Sequence, residues 1–236
     1  MSAVFVTAAG TEIGKTTICV ALLEQLAREG EICAAYKPVV TGFDANETGS
    51  DTARLLAAQG MPLTSANIDL VSPWRFSAPL SPDVAARREH RDIDFDELVR
   101  YSRNAAAKGP TLIEGIGGVM VPLTDKHTVL DWISALELPT LLIVGSYLGA
   151  LSHALTAASV LLGAGARLAG VVVNQSEQEP MATTETARAI ERFLTDTPVD
   201  IVARAAPGEQ PNVEAVGLRL RPYLDLGKKS PRRQER

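Results

Sequence analysis

The stretch Val4–Thr17, VFVTAAGTEIGKTT, runs from a short apolar segment into a glycine-bearing turn and on to an amphipathic helix opening at Gly14-Lys15-Thr16. A strand, a tight turn and a helix in that order aim backbone N–H groups and the positive end of the helix dipole at one point, which makes a cradle for phosphate oxygens. Lys15 adds a full charge beside the β- and γ-phosphates of a nucleotide, and the Thr16 hydroxyl suits Mg²⁺. Ile13, Gly14, Lys15, Thr16 and Thr17 are therefore the expected nucleotide-binding run. The string GxxxxGK[ST] would place glycine at position 9, where this chain has Ala9.

Outward from this loop, short apolar runs alternate with segments of helical period. Strands are expected at Val4–Thr7, Ile32–Tyr36, Thr111–Glu114, Thr140–Val144, Ala169–Asn174 and Asp200–Ala203. Helices are expected at Thr16–Arg28, Asp51–Gln59, Phe95–Ala107, Val129–Leu136, Gly149–Leu162, Thr183–Leu194 and Pro211–Leu220. In the first helix Ile18, Cys19, Leu22, Leu23 and Leu26 form one apolar stripe from which Glu24, Gln25 and Arg28 are excluded. This alternation predicts an α/β fold, a doubly wound, mostly parallel sheet with helices on both faces. The segment Pro62–Asp94, rich in Pro and Ser and poor in period, reads as a long excursion over one end of the sheet. Residues 1–226 are expected to form one domain, and residues 227–236 a frayed basic tail.

Composition narrows the class. With 46% hydrophobic and 22% charged residues the chain is neither mainly disordered nor fibrous, and a net charge of −5 lacks the overall basic field of a nucleic-acid binder. Cys19 and Cys33 make no disulfide framework and read as small buried apolar residues. Met1–Val6 show no secretory pattern, so a cytoplasmic location is expected. Leu138–Ala166 has no Asp, Glu, Lys or Arg, but Pro139, Gly145, Ser146, Gly149 and Gly163 interrupt it. It reads as a buried strand, a turn and a helix, with no membrane partner.

Three further clusters carry chemistry. YKPVVTG (Tyr36–Gly42) follows the second strand, so Lys37 and Thr41 stand at the carboxyl edge of the sheet, where open parallel sheets bind ligands. TLIEGIGG (Thr111–Gly118) ends an apolar strand in Glu114 and continues with glycines 115, 117 and 118, which would let a ligand approach the backbone. GSD (Gly49–Asp51) opens a helix with Asp51. Thr16, Asp51 and Glu114 together would give Mg²⁺ three hard oxygen ligands. His90 and His127 read as solvated, His153 as packed, and Trp74 and Trp132 as core or lid anchors.

The chain resembles the dethiobiotin synthetase family. The resemblance runs from Val4 to about Asn174 through FVTAAGTEIGKT, YKPVVTG, Ser50-Asp51, APLSPDVAA (Ala78–Ala86), IEGIGGVMVPL (Ile113–Leu123), VGSYLGALSHALT (Val144–Thr156) and GVVVN (Gly170–Asn174), in that order. It implies an ATP- and Mg²⁺-dependent cyclo-ligase that builds the ureido ring of dethiobiotin from 7,8-diaminononanoate and CO₂, through a carbamate and a carbamic-phosphoric anhydride. It also implies that Lys37 and Lys15 act at the reacting anions and that Thr41, Ser81 and Gly117 contact substrate. Glu12 would lie near the nucleotide and diamine, and Asn174 would contact adenine. Gly149, Ala150 and Leu151, at a helix start, would receive the substrate carboxylate in the neighbouring subunit of a homodimer. The chain departs from the family pattern at Ala8 and Gly10, in place of a glycine and an acid, at Asp83, in place of His, and at Ser152, in place of Asn.

Other classes fit less well. A partitioning or septum-positioning ATPase switch usually carries a lysine at the position of Gly10, and an amide-forming ligase with a fused glutaminase needs more than 236 residues. A nucleotide-binding scaffold without turnover is the remaining alternative.

Overall fold

The protein is described by a computed structural model covering residues 1–45 and 47–227. The expected tail beyond Gly227 lies outside the described residues. Its central sheet has six strands in the order β2-β5-β1-β6-β7-β8, and every pairing is parallel. These are β1 (Ala3–Ala8), β2 (Ala34–Tyr36), β5 (Thr111–Glu114), β6 (Thr140–Val144), β7 (Leu168–Asn174) and β8 (Val199–Val202). The chain winds from β1 outward to β2, returns through β5, and then crosses to β6 on the other side of β1. The loop after β1 therefore sits where the winding reverses, at the carboxyl edge of the sheet.

Alternation along the central strands explains why both faces are covered. Phe5 points into one core while Val4, Val6 and Ala8 point into the other, and Leu142 and Val144 of β6 oppose Leu141 and Ile143 in the same way. One face is closed by α1 (Lys15–Arg28), α2 (Asp51–Ala58) and α9 (Glu214–Leu220), through Ile18, Leu22, Leu55, Leu56 and Leu220. The other is closed by α5 (Phe95–Ala106), α6 (Val129–Leu136), α7 (Ala150–Gly163) and α8 (Thr183–Phe193). Trp132 of α6 is fully buried there, edge-on to Phe5 at 4.9 Å between ring centroids, and its indole N–H donates to Ser102 Oγ.

The excursion at 62–94 is more ordered than its sequence suggests. It contains α3 (Ser65–Val71), β4 (Trp74–Phe76) and α4 (Pro82–Arg88), and β4 pairs in parallel with β3 (Val39–Thr41). Elements of three to seven residues are too short to display a period. The polar residues that make the segment look like loop act partly as caps, since the Thr64 side chain accepts the Asn67 N–H and Ser81-Pro82 opens α4.

Smaller corrections follow from burial. Ile32 is 88% exposed and precedes β2, so that strand begins at Ala34 instead. Cys33 is half-buried, His153 is exposed and bonded to the Tyr147 hydroxyl, and His127 is half-buried and stacked on Phe95. The uncharged stretch at 138–166 is β6, a turn and α7. Among the described residues no helix is long and apolar enough to cross a membrane.

Candidate active site

The loop from Ala9 to Gly14 turns back on itself with Glu12 at φ 58° and Gly14 at φ 95°. Gly14 caps α1 in the left-handed region, and a Cβ there would run into the Asn174 side-chain amide at the end of β7. That amide donates to the Ile13 carbonyl at 2.9 Å, so β7 holds the loop from one side. From the other side the Lys15 ammonium donates to the Gly117 carbonyl at 2.7 Å. Ala9 continues the sheet, its N–H donating to Ile143 O, so the position where the motif would have glycine is occupied by strand-like pairing.

The glycines after β5 have a different role from the one expected. A Cβ on Gly115 would press against the Phe5 ring, and one on Gly118 would lie 3.3 Å from the backbone of Ala9 and Gly10. These two admit the protein's own core and phosphate loop, whereas Gly117, at φ 58°, lines the cavity.

Lys37 is the centre of the site. It immediately follows β2, is 6% exposed, and its backbone N–H donates to Val71 O. Its ammonium donates to Thr16 Oγ1 at 3.2 Å, pairs with Glu114 Oε1 at 2.8 Å and pairs with Asp51. The Thr16 hydroxyl in turn donates to Glu114 Oε1 at 2.6 Å. Burial works against the Lys37 ammonium, but Glu114 and Asp51 outweigh it and raise its pKa. Burial likewise opposes the Asp51 carboxylate, yet Lys37, Thr16 and Arg54 together lower its pKa. Lys15 lacks such close acids, and burial, with Lys37 nearby, brings its pKa down to about 8.

The expected metal ligands Thr16, Asp51 and Glu114 thus converge, at present around an ammonium. Glu114 is fully buried and its Oε2 has no hydrogen-bond partner among the described residues. A buried polar oxygen left without a partner costs about 1–3 kcal/mol, so the site has room in its bonding for a further cation or water. Two carboxylates and a hydroxyl form the all-oxygen set that Mg²⁺ accepts when phosphates and water complete its shell. No three His, Cys, Asp or Glu side chains among the described residues cluster to hold a metal without such help.

Two cavities meet at the loop. One, of about 650 Å³, is lined by Glu12, Gly14, Lys15, Thr16, Thr17, Lys37, Thr41, Asp51, Ser81, Glu114 and Gly117 among others. The other, of about 590 Å³, is lined by Ile13, Asn174, Tyr147, Gln175 and Arg204 among others. Thr11, Glu12, Gly14 and Thr17 belong to both. A ligand with a polyanionic end and an aromatic end would span them across Thr17. Of the residues the sequence singled out, Gly149, Ala150 and Leu151 line neither. Gly149 caps α7 at φ 93° with no side-chain cap, beside Leu148, which is 86% exposed. Arg54, whose Nη2 donates to Thr17 Oγ1 at 3.0 Å, joins the first cavity without having been expected, as do Pro79 and Ile116. In the second, Gln175 fixes the wall by accepting the Arg204 N–H and donating to Glu179.

Comparison with known proteins agrees with this architecture. The AAA domain family matches residues 2–208. The chain is 47% identical over 200 residues to the ATP-dependent dethiobiotin synthetase BioD of Methylobacterium nodulans, covering 81% of this chain and 89% of that one. It is 41% identical to the BioD of Acidiphilium cryptum, covering 88% and 95% respectively. Among solved structures, the MinC:MinD cell division protein complex of Aquifex aeolicus matches with a TM-score of 0.56 at 12% identity, covering 98% of each chain. A ParA family ATPase from Chlorobium tepidum matches at 0.51 and 14%, covering 94% of this chain and 90% of that one. At these identities the structural matches speak to the fold alone, an α/β fold with a parallel central sheet covered by helices.

Proposed function

The chain belongs to the ATP-dependent dethiobiotin synthetase family, and from that premise we propose that it closes the ureido ring of dethiobiotin from 7,8-diaminononanoate and CO₂ with cleavage of ATP to ADP and phosphate. The observation that carries this reading is the buried Lys37 ammonium, gripped by Thr16, Asp51 and Glu114 in the same cavity as Lys15.

The reaction must bring two anions together. One substrate amine takes up CO₂ and loses a proton to give a carbamate. A carbamate oxygen then attacks the γ-phosphorus and ADP departs. The second amine attacks the carbamate carbon, the C–O bond to phosphate breaks, and the ring closes as phosphate leaves. Two unit negative charges about 4 Å apart repel by about 4 kcal/mol at an effective dielectric constant of about 20. Lys37, paired with Thr16, Asp51 and Glu114 and part of the cavity lining, would offset that repulsion at the carbamate and transferred phosphate, and Lys15 would do so at the β- and γ-oxygens.

The remaining residues orient and exclude. Thr41 at the end of β3 and Ser81, whose hydroxyl is not spent on capping α4, would hydrogen-bond the diamine. Glu12 would face both nucleotide and diamine from the shared rim, and Asn174 would meet the adenine in the second cavity. Thr16, Asp51 and Glu114 would hold Mg²⁺, which would neutralise charge on the β- and γ-phosphates. The uncapped start of α7, with Gly149, Ala150 and Leu151, would serve the site of a second copy by offering N–H groups to the substrate carboxylate. That arrangement requires a homodimer.

The test is phosphate release with and without diaminononanoate and bicarbonate, alongside detection of the ring product. Release that depends on both and matches product one for one is expected; ATP hydrolysis indifferent to the diamine would overturn the proposal.

A further inference from the structure

Arg54 lies three residues after Asp51 on α2, a spacing that puts both side chains on one helix face, and both line the cavity that holds Lys15 and Lys37. Its Nη2 reaches Thr17 Oγ1 at 3.0 Å. Thr17 belongs to both cavities, so it marks the passage from the nucleoside end of a bound nucleotide to its phosphates. The guanidinium's hydrogen-bond partner there is a hydroxyl rather than a carboxylate. The nearest acid on its own helix, Asp51, is already paired with Lys37. A half-buried guanidinium carries five N–H donors in a planar fork that matches phosphate oxygens, and this one lines the same cavity as Gly14, Lys15 and Thr16 and bonds Thr17 in the first turn of α1.

We infer that Arg54 is a nucleotide-binding residue that clamps the nucleoside-proximal phosphates of ATP and ADP alike. The inference rests on the proposed use of ATP and deepens it by separating two sets of cations. Lys15 and Lys37 face the phosphate that moves, whereas Arg54 grips the part of the nucleotide that does not react. An interaction made equally in ground and transition states lowers KM and leaves kcat nearly unchanged.

The experiment compares the full-length protein with its Arg54→Ala, Arg54→Gln and Arg54→Lys variants, measuring ADP affinity by calorimetry together with KM for ATP and kcat. Arg54→Ala and Arg54→Gln should weaken ADP binding and raise KM by about tenfold or more, the loss of a charge-assisted hydrogen bond, with kcat little altered. Arg54→Lys should recover much of the affinity. Glutamine can still donate to Thr17 but carries no charge, so full recovery by Arg54→Gln would overturn the inference in favour of a role in positioning Thr17. Unchanged ADP affinity in both neutral variants would overturn it, as would a fall in kcat with ADP affinity intact. If Arg54→Ala does not fold, the Gln and Lys variants decide between these outcomes. Wild-type protein that binds no ADP would overturn the ATP-dependent reading as well, whereas normal wild-type binding with unaltered variants would overturn the Arg54 assignment alone.

Discussion

The Lys37 ammonium sits 2.8 Å from Oε1 of Glu114, a carboxylate at the end of β5 with no solvent exposure and with its second oxygen unpartnered among the described residues. A lysine is held there at the cost of desolvating both groups, so a positive charge is in place in the cavity of the free protein. Replacing Lys37 by Ala should lower kcat by about 10²–10³-fold, the range seen when a transition-state charge partner is removed. ADP affinity should change far less, because Lys15 and the loop N–H groups remain. Single-turnover phosphate release set beside an ADP titration checks this, and equal loss of both would contradict the assigned role.

Lys15 supplies a pH signature. Burial brings its pKa down to about 8 in the free protein, and an anionic phosphate beside it raises the value on binding, so the bound form holds the proton more tightly. Nucleotide affinity should therefore be level below about pH 8 and weaken as pH rises past it, by up to about tenfold per pH unit until the bound-state pKa is reached. ADP titrations from about pH 6.5 to about pH 9.5 test this. A Lys15→Met variant should lose the break near pH 8, and a break that persists in it would assign the titration elsewhere.

Gly14 is constrained twice, by its φ of 95° and by the Asn174 amide that any Cβ would strike. Gly14→Ala should cost about 1–2 kcal/mol for the left-handed backbone alone, and more for displacing the amide from the Ile13 carbonyl. Urea unfolding should show that loss together with weakened ADP binding. Unaltered stability and affinity would mean that the loop adapts freely.

Much of this site was legible in the sequence because parallel strands end at one edge, and each end is written as an apolar run followed by a break. Lys15, Lys37 and Glu114 follow or close such runs, so their meeting could be anticipated from order alone. Arg54 could not, since an arginine three residues into a helix is ordinary until the facing Thr17 is seen. The glycines after Glu114 were visible, but their use by Phe5 and the Ala9–Gly10 backbone depends on contacts across the sheet. Strands β3 and β4 escaped notice because three residues carry no period, although their pairing fixes Val39 opposite Trp74 and Thr41 opposite Phe76 and so frames the wall that bears Thr41.

The core offers a separate check of the fold. Trp132 is buried edge-on to Phe5 and donates to Ser102, so Trp132→Ala leaves a cavity and removes one of the two bonds of the Ser102 hydroxyl, which still donates to the Leu98 carbonyl. A loss of about 3–5 kcal/mol is expected in urea or thermal unfolding. A loss below about 1 kcal/mol, the range of ordinary surface substitutions, would contradict the packing.

The measurement that bears most directly on the chemistry is the fate of bicarbonate oxygen. With oxygen-18 bicarbonate, diaminononanoate and unlabelled ATP, attack by a carbamate oxygen on the γ-phosphorus followed by ring closure carries one labelled oxygen into each phosphate released. Label in phosphate only when the diamine is present is the predicted result. Phosphate whose new oxygen comes from solvent water would mean that the two anions never meet beside Lys37.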